Sequence, residues 1–101
     1  SYSMPKLTTV FWRDIPAQVI AKERRENAKI VLDERFAIAI DKAAMRAKMA
    51  GTDAYLEQWR QVISKCGADL QAAADVAAAK LELDYDDDRL ARMVKSGGVD
   101  E

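Results

Sequence analysis

Residues 6–32, KLTTVFWRDIPAQVIAKERRENAKIVL, decide the fold. Their first seven positions are rich in β-branched and aromatic side chains, the composition that suits a pleated, half-buried strand. Arg13-Asp14-Ile15-Pro16 then interrupts it. A proline cannot donate to a ladder, so pairing must stop or bulge at Pro16. The next part, residues 17–32, admits two readings. As a helix it has Pro16 at a permitted first position, but Glu23, Arg24, Glu26 and Asn27 break the apolar stripe. As a hairpin, residues 17–22 pair with residues 28–32, and the charged residues around Arg25–Asn27 form the turn. The hairpin is the preferred reading.

Downstream the pattern turns helical. Asp33 is placed to cap a first helix, with Phe36, Ile40, Ala43, Ala44 and Ala47 at helical spacing and Gly51 as its left-handed stop. Thr52 caps a second helix expected to run to about Val62 and to bury Tyr55, Leu56, Trp59 and Val62. Asp69 begins a third, alanine-rich helix reaching about Leu83. Asp86 or Asp87 starts a short fourth that carries Leu90, Met93 and Val94. The expected fold class is α+β: short N-terminal β-strands in a hairpin, packed against about four α-helices. Residues 4–96 form the single expected domain. Residues 1–3, ahead of Met4, read as an expression-tag scar, and residues 97–101 as a frayed tail.

Composition narrows the chemistry. The chain has 101 residues, half of them hydrophobic and a third charged, which suits one folded domain. It contains no histidine and one cysteine. Ser–His–Asp catalysis, common zinc sites and internal disulfides therefore drop out, and Cys66 reads as a small buried hydrophobe. Asp84, Asp86 and Asp88 have the alternation of a calcium loop, but Arg89 stands where that loop needs glycine and Lys95 where it needs a bidentate glutamate. The carboxylates read instead as favourable charges at a helix N-terminus. No catalytic residue, metal site or cofactor is expected, which points away from an autonomous enzyme. With no basic leader or long apolar run, a cytoplasmic location and no membrane association are expected.

Net charge is −1 overall, but residues up to Lys65 hold twelve basic and eight acidic groups, and the remainder four and nine. This asymmetry suits a polar docking face and is too weak to imply nucleic acid. The candidate interface combines Trp12, Arg13, Asp14 and Gln18, at the broken strand, with Arg46 or Arg60 on the neighbouring helices. Trp59 is expected to face the core. The partner is read as a protein or a second copy of the chain. The alternative is a small anionic ligand held by Arg13 and a nearby arginine, because a guanidinium fork matches carboxylate and phosphate.

Two stretches carry a resemblance. TTVFWRDIPAQVIAK (8–22) and DERFAIAIDKAAMRAKMAGTDAYLEQWR (33–60) resemble the small bacterial domain family called virulence factor, the similarity covering most of residues 5–95 and being most specific at WRDIPAQV and GTDAYLEQW. That family occurs as short stand-alone proteins and as a segment of longer HEAT-repeat proteins. The leading reading is a non-catalytic accessory or protein-interaction domain. The neighbourhood of stand-alone members implies, as the alternative, a ligand-binding or enzyme subunit linked to corrinoid and folate one-carbon metabolism. It supplies no catalytic residues.

Overall fold

Alternating β-branched and aromatic side chains form β1 (Lys6–Trp12), which turns at Arg13-Asp14 into β2 (Ile15–Glu23) and then into β3 (Glu26–Val31). The computed structural model describes residues 4–100; the residues read as a scar, and Glu101, lie outside them. After β3 come α1 (Glu34–Arg46), a short α2 (Asp53–Glu57), β4 (Trp59–Lys65), α3 (Leu70–Asp84) and α4 (Asp87–Lys95). The four strands make one antiparallel sheet in the order β3-β2-β1-β4. The fold is α+β, as expected, and residues 17–32 form the hairpin. Its turn is Arg24-Arg25, between the paired Glu23 and Glu26, with Arg24 left-handed.

Pro16 bulges the sheet as its chemistry requires. Val10 pairs with Gln18 but Phe11 pairs with Pro16, so Ala17 is the extra residue on β2. Beyond the bulge, Trp12 and Ile15 face each other with no exposed surface, within the core cluster that α1 shares, and Trp12 lies against Tyr55 of α2 and against Gly98.

Helix starts follow their capping residues. The side chains of Asp33, Thr52, Asp69 and Asp86 accept from backbone amides in the first turns of α1 to α4. Asp86 thus serves α4, as the helix-terminus reading of the acidic run requires. Alanines on α3 let it lie close over β2 and β3, where Ala74, Ala78 and Leu70 are buried with Val19, Ala21 and Ala28. Leu90 and Met93 of α4 are buried where it packs on α1.

Three expectations are corrected. α1 ends at Ala47, with Lys48 rather than Gly51 supplying the first left-handed residue. The second helix stops at Glu57, and the stretch expected to continue it is strand β4, which pairs with β1 along seven residues. The apolar residues at 55, 56, 59 and 62 satisfy a helical stripe, but Val62 and Ile63 suit a strand equally, and the free edge of β1 decides between them. In consequence Trp59 is 36% exposed and Val62 46%, while Leu56 also faces solvent. Finally, where a frayed tail was expected, Gly97 and Gly98 are buried and hydrogen-bonded against the β1–β2 turn.

The two tryptophans therefore separate cleanly in energy. Trp12 is fully buried and donates Nε1–H to the Tyr55 carbonyl at 2.8 Å, whereas Trp59 meets Tyr55 edge-on at the sheet margin. Trp12→Phe should cost about 2–3 kcal/mol, from lost volume plus an unpaired carbonyl. Trp59→Phe should cost under about 1 kcal/mol. Urea midpoints at unchanged m-value check both.

Candidate functional site

Arg13 occupies the first position of the tight β1–β2 turn with φ +52, a left-handed conformation that a non-glycine residue adopts at a cost. What offsets the strain is the contact it enables. Its backbone N–H donates to the Gln58 carbonyl (3.0 Å), and its guanidinium donates to Gln58 Oε1 (3.2 Å), the Gly97 carbonyl (3.0 Å) and Met49 Sδ (3.3 Å). Its own carbonyl accepts from Arg60 Nε at 2.8 Å. One residue thus joins the turn to the loop after α1, the α2–β4 junction and the C-terminal segment.

Asp14 completes the fastening. Its amide donates to the Gly98 carbonyl (3.0 Å), one carboxylate oxygen accepts from the Asp100 amide (2.8 Å), and the other faces Arg60 Nη2 at 3.3 Å. Asp100 in turn pairs with Arg89, whose guanidinium lies 3.9 Å over the Tyr85 ring. Burial raises the Tyr85 phenol above its ordinary value against the opposing pull of Arg89, and the hydrogen bond that Arg89 donates to Asp100 raises the guanidinium above its own. Gly98 is required here: at φ +98, a Cβ would lie 2.8 Å from the Trp12 ring.

The six sequence candidates sort by position. Arg13, Asp14 and Arg60 meet at one corner of the sheet, with Trp12 buried beneath them. Arg60 comes from a strand and not a helix; it stacks 4.5 Å over Phe11 and is about half exposed. Gln18 lies away from this corner, in a shallow groove of about 160 Å³ shared with Val31, Tyr55 and Trp59. Arg46 is exposed on the last turn of α1, where a cation complements the helix dipole. Sequence reasoning missed Gln58, Gly97, Gly98 and Asp100, since their roles depend on long-range closure. It also missed β4, every residue of which is exposed, with Ile63 60% accessible. The adjacent β-branched residues Val62 and Ile63 were the available signal.

Chemically, the corner is a lock. Each donor-bearing nitrogen of Arg13 is directed at an acceptor within the chain. Among the described residues no three acidic or cysteine side chains converge as a metal cluster, and no helix is long and apolar enough to cross a membrane. What the region presents outward is the β4 strand, with an unpaired edge beyond it. Comparison with known proteins gives one result: the family model described as virulence factor matches residues 10–94. No curated protein and no solved structure matches the chain.

The lock makes Arg13 a stability residue. Arg13→Ala should cost about 2–4 kcal/mol, because its bonds are charge-assisted and removal leaves half-buried acceptors unpaired. Arg13→Lys should recover less than half of that, since an ammonium cannot reproduce the fork. Arg13→Gly should fall between Ala and wild type by relieving the left-handed backbone. Denaturant titration of the three variants ranks them.

Proposed function

Because the chain belongs to the virulence factor family, and its arginine corner is engaged in holding the fold together, we propose that it is a non-catalytic accessory domain that docks a protein partner through the β4 side of its sheet. The observation that carries this reading is β4 itself. Seven consecutive residues, WRQVISK, are exposed on an edge strand that among the described helices the short α2 touches at its start, through Tyr55 against Trp59. Such edges are templates for further pairing and are usually shielded by bulges, prolines or covering elements. Here β4 keeps a regular seven-residue register with β1 and shows Trp59, Val62 and Ile63 to solvent.

Aromatic and arginine side chains anchor protein interfaces, and this edge begins with both. Arg60, paired to Asp14 at 3.3 Å, borders the strand at one end and sets the approach of a partner there. Gln18, in the groove beside Trp59, extends the same surface. Arg46 lies on α1 and takes no part in it. The small-ligand reading needs free guanidinium donors at Arg13; three of its five N–H groups point to Gln58, Gly97 and Met49, which weighs against that reading.

The test is the double variant Val62→Thr/Ile63→Thr, which keeps strand propensity but removes the apolar surface. Its melting temperature should stay within a few degrees of wild type. Tagged wild-type protein in lysate of the native host should retain a stoichiometric partner, and the variant at most a tenth as much. Equal retention by the variant would remove β4 from the interface.

A further inference from the structure

The sheet has two unlike faces. Its register aligns Leu7, Ala21, Ala28 and Ser64 on one side, with Thr9, Val19, Ile30 and Val62 in the next row, and α3 covers the β2 and β3 part of this face. On the opposite side one row runs Asn27, Lys22, Lys6, Lys65 across all four strands, and the next runs Lys29, Ile20, Thr8, Ile63. The four lysines of that side are exposed, and among the described residues none is in an ion pair. No carboxylate lies in these rows. Glu23 and Glu26, which flank the Arg24-Arg25 turn, fall on the α3 side by alternation.

From this segregation we infer that the exposed lysine end of this face docks an acidic amphipathic helix of the protein partner, its carboxylates over the Lys22–Lys6–Lys65 row and its apolar side chains against Ile20 and Ile63. The inference rests on the interaction reading above and names the chemistry of the partner. Like charges directly opposite one another weaken a sheet, so the row is no aid to folding. Lysines also guard edge strands against aggregation, which accounts for Lys29 and Lys65 but not for Lys6 and Lys22 on the inner strands. Beside the lysine row lie Ile20 and Ile63, in a row shared with Lys29 and Thr8, then Val10 and Val31, in a row shared with Gln18 and Gln61, so aliphatic side chains flank the lysines among polar ones. A helix that follows the lysine row runs across the strands: the outer strands are about 14 Å apart, matched by roughly ten residues of helix, and its width of about 10–12 Å covers the lysine row and the row beside it, about 7 Å along the strands.

Other occupants fit less well. Single-stranded nucleic acid wants aromatic rings on which bases stack; the nearest exposed ring on this side, Trp59, is six residues along β4 from Lys65, about 20 Å away. An anionic bilayer wants apolar side chains that reach past the cations, and here valine and isoleucine are shorter than the lysines around them. A second copy would oppose lysines to lysines on this face, and β4 itself carries Arg60 and Lys65 with no carboxylate.

The experiment is an NMR titration of the isotope-labelled full chain with an 18-residue helical peptide bearing glutamates along one edge and leucines along the other. Parallel titrations use the same peptide with glutamine for glutamate, a single-stranded DNA 20-mer, and phosphatidylserine vesicles. The glutamate peptide should saturate, shift the amides of Lys6, Thr8, Ile20, Lys22, Ile63 and Lys65, and weaken with salt. The glutamine peptide, or the protein variant Lys6→Gln/Lys22→Gln, should bind at least tenfold more weakly, while that variant melts at or above the wild-type temperature. Shifts centred on α3 or α4, equal affinity for the glutamine peptide, tighter binding of DNA or vesicles, or no saturation would each overturn the inference. Lysate capture separates the two levels. Loss of the native partner by Val62→Thr/Ile63→Thr but not by Lys6→Gln/Lys22→Gln defeats the acidic-helix inference alone; retention by both defeats the interaction reading as well.

Discussion

The guanidinium of Arg13 is the point on which the tertiary arrangement closes. Reaching Gln58, the Gly97 carbonyl and Met49 from one left-handed turn residue, it ties together segments up to 84 positions apart in the chain. The turn, the α1–α2 loop, the start of β4 and the C-terminal segment are each short and polar, and none has an apolar face wide enough to dock alone. Charge-assisted bonds to neutral acceptors are among the stronger polar contacts available. Trp12 supplies the apolar part directly beneath, its indole N–H held by the Tyr55 carbonyl and its ring lying against Gly98.

Closure at this corner determines what remains for function. With the arginine engaged internally, the chemistry that a free guanidinium would offer to a carboxylate or phosphate passes to other surfaces. The same contacts hold Gln58 at the head of β4, so the edge strand starts at a fixed position and direction. α3 occupies one face over β2 and β3 only. The strand farthest from it, β4, and the lysine end of the opposite face are left to solvent. An antiparallel sheet tolerates one wet face, but aliphatic side chains beside opposed lysines are more than solvation requires.

The β1–β2–β3 meander was legible in the sequence because local chemistry and global packing agree there: β-branched runs, a proline that enforces a bulge, and a charged tight turn. The helix starts were equally legible, since each cap needs only an Asp or Thr at the right place. β4 was not. Tyr55, Leu56, Trp59 and Val62 repeat at helical spacing, and only the unpaired edge of β1, a partner 47 to 59 residues distant, resolves residues 59–65 as a strand. The tail was misread for a related reason: Gly97 and Gly98 signal flexibility in isolation, yet close approach to Trp12 makes Gly98 the residue that fits. Arg13, Asp14 and Arg60 meet in space, but from the sequence their mutual engagement is indistinguishable from availability to a ligand.

Amide hydrogen exchange on the wild-type protein, alone and saturated with its native partner, bears most directly on the claim that the β4 side of the sheet is the docking surface. In the free protein, amides of β1 and β2 should be protected while the outward-facing amides of Trp59–Lys65 exchange rapidly. With the partner bound, protection should appear along β4 and on the lysine-bearing face, and the outer surfaces of α3 and α4 should be unchanged. Protection that instead appears on α3 and α4, with β4 exchanging as before, would contradict the account.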